Sequence, residues 1–350
     1  MRRNAMSVFN KDDRSATRRE FVKTAAFGAA GLAVAPAASM GLAETPDPQR
    51  GKGQYGKWIK PLAFEEWQGT YRQVTRHTSE FADLHIEYGT PAVAGKFGPD
   101  AAEIHDYNQV MIFMGADPTN IGDLGAYVEL CIGHEREKHM ITTSTAVFIP
   151  KGLPHMPATA TRVDRRFIFM TISQVTAPKA STAPPAEKEY AGDPIAGLGL
   201  FGSKYRNNLP IMLWERKGAW HYGRQNPDDA EGYITSIGGN KDLFDFHMMY
   251  EGINKAPYRF GDPYKPHVHN YDESLICMGA DCNDLSKLPG EVVMCMGPEM
   301  EKHVITTPTL IHLPRNFPHC PTTVTKADKP FIFIVLRAFS SADAPKKKEA

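Results

Sequence analysis

The chain reads as all-β, built as two tandem barrels. Three observations predict this. The text repeats itself at a constant offset of 164 residues, which marks a tandem duplication. Short apolar runs separated by Gly, Pro and Asp recur in both halves, the pattern of strands joined by tight turns. No segment keeps a long helical period.

The repeat is legible in several places. Met114-Gly-Ala-Asp117 pairs with Met278-Gly-Ala-Asp281, and Glu137-Lys-His-Met-Ile-Thr-Thr143 with Glu301-Lys-His-Val-Ile-Thr-Thr307. Pro154-His155-Met-Pro157 pairs with Pro318-His319-Cys-Pro321, and Phe167-Ile-Phe169 with Phe331-Ile-Phe333. A weaker pair, from Asp83-Leu-His85 to Tyr88 and from Asp245-Phe-His247 to Tyr250, extends it upstream at an offset of 162. With 350 residues, each copy can bury a core of its own.

Taken in order, the chain opens on a segment that is not part of the fold. Thr17-Arg18-Arg19-Glu20-Phe21-Val22-Lys23 precedes an Ala/Gly-rich run, and Gly41-Leu42-Ala43 supplies a small-x-small cleavage site. Residues 1–43 resemble a bacterial twin-arginine signal peptide, cut after Ala43, which implies use of the twin-arginine translocation machinery and a periplasmic or otherwise exported protein. A membrane anchor competes with this reading, but the run is barely long enough and is diluted by Gly, Ser and Pro. Residues 44–176 hold the first domain, with a Pro/Gly-rich leader to about residue 56 and the barrel expected from near Trp58 to Ser173. Its strands are expected at 110–114, 126–132, 145–149 and 166–172. Residues 177–208, Pro/Ala/Lys-rich at their start, form the linker. The second domain covers 209–340, with strands at 274–278, 291–296, 309–313 and 331–336, and 341–350 is a polar tail. Trp214, Trp220, His221 and Tyr222 form an aromatic cluster that reads as an inter-barrel or subunit contact ahead of a pocket wall.

Chemistry concentrates in one block. The second copy carries Gly261-Asp-Pro-Tyr-Lys-Pro-His267-Val-His269-Asn-Tyr-Asp-Glu273, then Gly279, and later Pro314-Arg-Asn-Phe-Pro-His319, whose histidine lies 46 residues beyond Glu273. Residues two apart on an extended strand share a face, so His267 and His269 point together. Glu273 returns across a tight turn, and His319 arrives from a separate strand behind a turn-forming stretch. Three imidazoles and a carboxylate suit a divalent transition metal, with coordination positions left over for water or substrate.

The block Gly-x5-His-x-His-x3-Glu-x5-Gly, followed by Pro-x-Asn-x-x-His, resembles the two signature motifs of the cupin superfamily, and the duplication resembles a bicupin. Asn316 stands where the second motif usually has glycine, a mild departure because Asn tolerates left-handed backbone. The resemblance implies double-stranded β-helix (jelly-roll) barrels, one metal held by His267, His269, Glu273 and His319, and a homo-oligomer. Fe, Mn, Cu, Ni and Zn all fit such a set.

The first copy is altered at these positions. Glu103 stands for His267, His105 for His269, Gln109 for Glu273 and His155 for His319. The site is read as degenerate or structural, with Glu103, His105, Gln109 and His155 kept as a candidate second metal site.

Composition narrows the function. Net charge is zero, and removal of residues 1–43 leaves 33 basic and 37 acidic residues, so there is no nucleic-acid footprint. The five cysteines form no Cys-x-x-Cys pair; Cys131 and Cys295 are equivalent core positions, and Cys277–Cys282 is the one local disulfide candidate. Cys320 is expected to turn away from the metal by strand alternation. Arg259 and Lys265 are candidates to neutralise an anionic substrate, and His312, whose counterpart is Phe148, is a candidate support residue facing the pocket. Tyr107 and Tyr271, and His139 and His303, are duplicated and read as fold residues. Two functions follow: a metal-dependent enzyme on a small organic, including anionic, substrate, by oxygenase-type oxidation or decarboxylase/lyase chemistry; or a non-catalytic periplasmic binder of a metal or small molecule.

Overall fold

A computed structural model describes residues 53–66, 71–79, 84–120, 122–188, 195–196, 204–205, 214–217, 232–238, 246–260, 262 and 264–338. The expected signal peptide (1–43) and polar tail (341–350), and most of the Trp214–Tyr222 cluster, lie outside them.

The strands of the first copy are β1 (Ile59–Pro61), β2 (Glu65–Glu66), β3 (Tyr71–Ser79), β4 (Leu84–Pro91), β5 (Gly95–Phe97), β6 (Glu103–Ile104), β7 (Gln109–Gly115), β8 (Asp123–Ile132), β9 (Glu137–Thr143), β10 (Thr145–Ile149), β11 (His155–Val163) and β12 (Phe167–Ser173). Two short strands, β13 (Ser181–Thr182) and β14 (Ile195–Ala196), follow in the linker. The second copy has β15 (Trp214–Lys217), β16 (Gly232–Gly238), β17 (Phe246–Ile253), β18 (Tyr258–Phe260), β19 (Glu273–Gly279), β20 (Gly290–Met296), β21 (Glu301–Ile305), β22 (Thr309–Leu313), β23 (His319–Ala327) and β24 (Phe331–Ala338). The strands expected at 145–149 and 309–313 are found at those residues; the others differ from the expected ranges by one to three residues at an end.

Each barrel is a sandwich of two sheets. In the first, β10-β7-β12-β4-β3-β2 faces β13-β6-β11-β8-β9-β14; in the second, β1-β22-β19-β24-β17-β16-β15 faces β18-β23-β20-β21. Side-chain alternation assigns the cores. Met111 and Phe113 enter the first barrel with Phe97, Val128 and Phe169. Val110, Ile112 and Met114, on the opposite face of β7, pack with Ile276, Met278, Ile334 and Leu336 of the second. That shared layer explains why β7, β12 and β19 are buried at every residue: one face serves its own barrel and the other serves the inter-barrel contact. Polar bonds cross the same boundary, from Tyr250 Oη to the Gly115 carbonyl at 2.6 Å and from Thr90 Oγ1 to the Cys282 carbonyl at 3.2 Å. At Gly252 an added Cβ would lie 2.2 Å from the Pro118 carbonyl oxygen, so only glycine permits this approach.

The start of the first barrel differs from the sequence expectation near Trp58. β1 pairs with β22 of the second barrel, Ile59 opposite Ile311, and Tyr55 and Ile59 belong to the second core. The residues before the second barrel do the reverse. β14 pairs with β9, and Tyr205 enters the first core while its hydroxyl donates to Glu135 at 2.7 Å. The two arms are thus exchanged. Their seats repeat as well: Tyr55 lies over Gly297 and Tyr205 over Gly133, both with positive φ. The first pairing, Ile59 with Ile311, spans much of the chain, and no local pattern announces either.

Candidate metal centre

The second barrel brings its block together at one end. His267 and His319 exchange backbone bonds, 2.9 Å from His267 N to His319 O and 3.0 Å in return. The turn before His319 is closed by Asn316 N–H donating to the His269 carbonyl, with Asn316 at φ 61; Gly152 makes the same bond to His105 at φ 79. Asn316 therefore does the backbone work of the glycine it replaces. Ring centroids lie 4.4 Å apart for His267–His319, 4.8 Å for His267–His269 and 5.2 Å for His269–His319. The three rings bring one ligand nitrogen each within 4.8 Å of one another, a cluster that could hold a metal ion. Glu273, at the start of β19, places Oε2 3.2 Å from His319 Nε2 and Oε1 3.8 Å from His269 Nε2.

The donor set fits a divalent transition metal. Nε2 of His269 and of His319 is buried without a hydrogen-bond partner, which in a folded protein calls for an explanation. His319 Nδ1 lies 2.9 Å from the Phe317 carbonyl; its N–H is donated there, leaving Nε2 with a lone pair. Phe317 is in turn held by the exchanged arm, with Trp58 and Tyr55 edge-on at 4.4 and 4.9 Å. Tyr271 stacks on His269 at 4.7 Å and 8°, fixing the ring plane. Burial lowers the pKa of His269; the charges of His319 and Arg337 also lower it, while Glu273 opposes them. A neutral imidazole is the form that binds metals.

The first barrel has the same frame and different chemistry. Glu103 pairs with His155 as His267 does with His319, and its Oε1 lies 3.4 Å from His155 Nε2. Tyr107 stacks on His105 at 4.0 Å and 6°. His105 Nδ1 is 2.7 Å from the Tyr107 carbonyl. Gln109 donates its amide to Ser173 Oγ at 3.0 Å. Burial, and after it the charge of His155, lowers the His105 pKa to about 4. Among the described residues, only the second-barrel histidines form a three-ligand cluster.

Two of the other sequence candidates, His312 and Arg259, point elsewhere. Glu273 faces Leu313 in the register, and Leu313 belongs to the second core; His312 faces Ser274, on the opposite side of the sheet. His312 therefore lies in the inter-barrel layer, as Phe148 does in the first copy, and not in the pocket. Arg259 is exposed between the buried Tyr258 and Phe260, so it points out of the barrel. Lys265 is exposed two residues before His267. Cys320 is not turned away, because the β20–β23 register shifts between Met294 and Met296 and Cys320 has φ 72. This irregularity points its buried thiol inward, 3.6 Å from Thr322 Oγ1, which bonds Met294 of the second core. None of the five cysteines is in a disulfide and all are buried, Cys277 in the second core and Cys282 in the inter-barrel layer. His139 and His303 lie 2.9 and 2.8 Å from Glu137 and Glu301; Glu301 also accepts from Gln54 N–H, tying the arm down.

Sequence reasoning missed Arg337. It follows Phe333 and Val335 on the face of β24 that enters the second core, and its guanidinium carbon lies 4.8 Å from the Tyr271 ring centre. The signal was available in the repeat: Gln109 and Ser173 of the first copy become Glu273 and Arg337 in the second, a neutral pair exchanged for a charged one.

No protein-family model and no curated protein sequence matches the chain. Among solved structures, two of oxalate decarboxylase from Bacillus subtilis are similar. One, a SENS161-164DSSN mutant, has 10% identity, a TM-score of 0.52, and covers 84% of this chain and 80% of its own. The other, at pH 4.6, has 9% identity, a TM-score of 0.51, and covers 84% and 79%. AerE from Microcystis aeruginosa has 9% identity and a TM-score of 0.45 over 80% of this chain and 98% of its own. The chain has the bicupin fold: two tandem all-β barrels like those of oxalate decarboxylase.

Proposed function

We propose that the second barrel binds one divalent transition metal through His267, His269, Glu273 and His319. On this reading the chain is an exported metal-dependent enzyme that oxidises a small organic anion by oxygenase-type chemistry. The observation that supports it is the convergence of three histidine nitrogens within 4.8 Å, with Glu273 3.2 Å from one of them. When bound, the ion would supply Lewis acidity and, if Fe, Mn or Cu, one-electron chemistry.

The chain's own residues set the surroundings. The Phe317 carbonyl holds His319 in one tautomer, and Tyr271 holds the plane of His269. Arg337 adds a positive charge to the interior wall, which suits an anionic substrate. Residues 1–43 carry the export reading, with cleavage near Ala43 and a periplasmic home. The domain plan is 44–176 and 209–340, with residues 55–61 serving the second barrel.

A second reading is redox-neutral cleavage of a small carboxylic acid. It is supported by the fold shared with oxalate decarboxylase, a protein with Mn(II) centres. Elemental analysis of the exported protein, with and without Glu273→Gln, tests the site. About one redox-active ion per chain, lost in the variant, is expected, and oxygen uptake with small carboxylates then separates the two reactions. Two ions per chain, or one that survives Glu273→Gln, contradicts the assignment; a bound ion without turnover leaves a binding protein.

A further inference from the structure

The N-terminal arm meets the second barrel at the turn that delivers His319. A single 3-10 turn, Gly56–Trp58, is closed by Trp58 N–H donating to the Tyr55 carbonyl at 3.0 Å. It sets Tyr55 and Trp58 side by side, ring centres 5.5 Å apart and 20° from parallel. Both rings then meet Phe317 edge-on, at 4.9 and 4.4 Å, a geometry that adds to simple burial. β1 carries the arm on along β22, Ile59 opposite Ile311, one strand away from β19, which begins at Glu273. Trp58 and Phe317 stay partly exposed, so this contact sits at the rim and not in the core.

The arm supports both carbonyls that precede His319. The Phe317 carbonyl accepts from His319 Nδ1–H at 2.9 Å, and the Phe317 ring is the one that Trp58 and Tyr55 hold. The Pro318 carbonyl accepts from Gly297 N–H at 2.8 Å, and Tyr55 lies on Gly297 so closely that an added Cβ would stand 2.3 Å from its ring. A shift of the arm therefore moves the acceptor that fixes the His319 ring. The first barrel provides the comparison. Tyr205 lies on Gly133, and Gly133 N–H donates to the Pro154 carbonyl at 2.7 Å, so the support under Pro318 is repeated. The aromatic one is not. Leu153 stands where Phe317 stands and offers no ring to clamp, and its carbonyl lies 3.2 Å from His155 Nδ1. The clamp belongs to the barrel whose three histidines converge.

We infer that Trp58 and Tyr55 are positioning residues for the metal centre: through Phe317 and Gly297 the N-terminal arm holds His319 in its ligating orientation. The arm thereby sets how tightly the ion is held and how fast it leaves. This rests on the assignment of His267, His269, Glu273 and His319 as ligands. Neither arm residue reaches the ion; both act on the backbone that aims one ligand ring. Groups that orient a metal ligand in this way are worth about 10–100-fold in affinity.

Cobalt(II) is the probe, because its visible absorption bands report the geometry of its ligands and its release to excess chelator can be timed. The purified full chain is compared with its variants, and the ion followed is the one that Glu273→Gln removes. Trp58→Ala is expected to weaken cobalt affinity about tenfold, to shift the bands and to speed release. Trp58→Phe, which keeps a ring against Phe317, is expected to stay near wild type. Phe317→Leu copies Leu153 and leaves the arm sequence intact; it is expected to move all three readings in the same direction, whether or not Trp58→Ala folds. Tyr205→Leu loosens the other arm, and is expected to lower the melting temperature with bands and release unchanged. Unaltered cobalt binding in Trp58→Ala and Phe317→Leu, or an equal effect of Tyr205→Leu, overturns the inference and leaves the metal assignment standing. A wild-type chain that takes up no cobalt, or cobalt that survives Glu273→Gln, overturns that assignment and the inference with it.

Discussion

Replacing Arg337 by Ser, the residue that the first barrel carries at the equivalent position, will tighten metal binding. The guanidinium lies 4.8 Å from the Tyr271 ring centre, and that ring lies 4.7 Å from His269. Through the stack, its charge is roughly 10 Å from an ion held by His269 Nε2, and 332 × 2/(ε × 10) gives roughly 1 kcal/mol in water and roughly 3 kcal/mol at an effective ε of 20. Loss of the charge should therefore strengthen affinity between about fivefold and about a hundredfold. Competition titration against a chelating dye measures this, and the gain should shrink as salt rises. Arg337→Lys keeps the charge and should leave affinity near wild type. If Arg337→Ser binds metal no better, with its melting temperature unchanged, the charge is not felt at the site. If it binds worse while Arg337→Lys is normal, the cation acts by holding Tyr271 and His269 in place, and the electrostatic argument fails.

Other outcomes follow from single residues. His312→Phe copies Phe148 into the inter-barrel layer and should leave metal content unchanged; metal loss would return His312 to the site. Gly297→Ala places a Cβ 2.3 Å from the Tyr55 ring at φ 78, and should cost about 2–3 kcal/mol of denaturant stability and expose the arm to protease. Gly152→Ala, with nothing within 4 Å, should cost only the left-handed backbone, about 1 kcal/mol; equal losses would mean that the seat of Tyr55 is unimportant. The unfolded chain protonates His105 near its ordinary pKa of 6.5, but the folded chain resists until about 4, so stability should fall as pH drops through that window. The loss from this group is about 3 kcal/mol at most, and His139, His269 and His303, also lowered, add to it with the same sign. Denaturant midpoints that stay flat from pH 7 to 4.5 would contradict the burial of these rings.

What could be read from the sequence was what repeats locally. The 164-residue offset located paired strands, and the His-x-His…Glu…His order located the residues that converge. Three readings failed for definite reasons. Parity on β22 was counted from Pro314, outside the strand, whereas the pairing of Glu273 with Leu313 sets it. Hydrophobicity gave no warning, because the inter-barrel layer buries the other face too. Alternation failed at Cys320 because one irregularity in β23 resets the side-chain directions that follow it. The exchanged arms were invisible because their partners lie more than 200 residues away in the first case, Ile59 with Ile311.

The comparison of the copies also argues that the barrels diverged as units rather than decayed residue by residue. A random loss at Gln109 would leave its neighbours unchanged, with a buried amide facing an arginine. Instead Gln109 donates to Ser173 at 3.0 Å, a satisfied neutral pair, where the second barrel has Glu273 and Arg337. Glu103 likewise lies 3.4 Å from His155, at the position where His267 meets His319. Both substitutions come with partners that suit them, and the first core and the Gly152 turn keep the geometry of the second. The exchanged arms and the shared apolar layer bind its folding to that of the metal barrel, so it can change its chemistry without leaving the molecule.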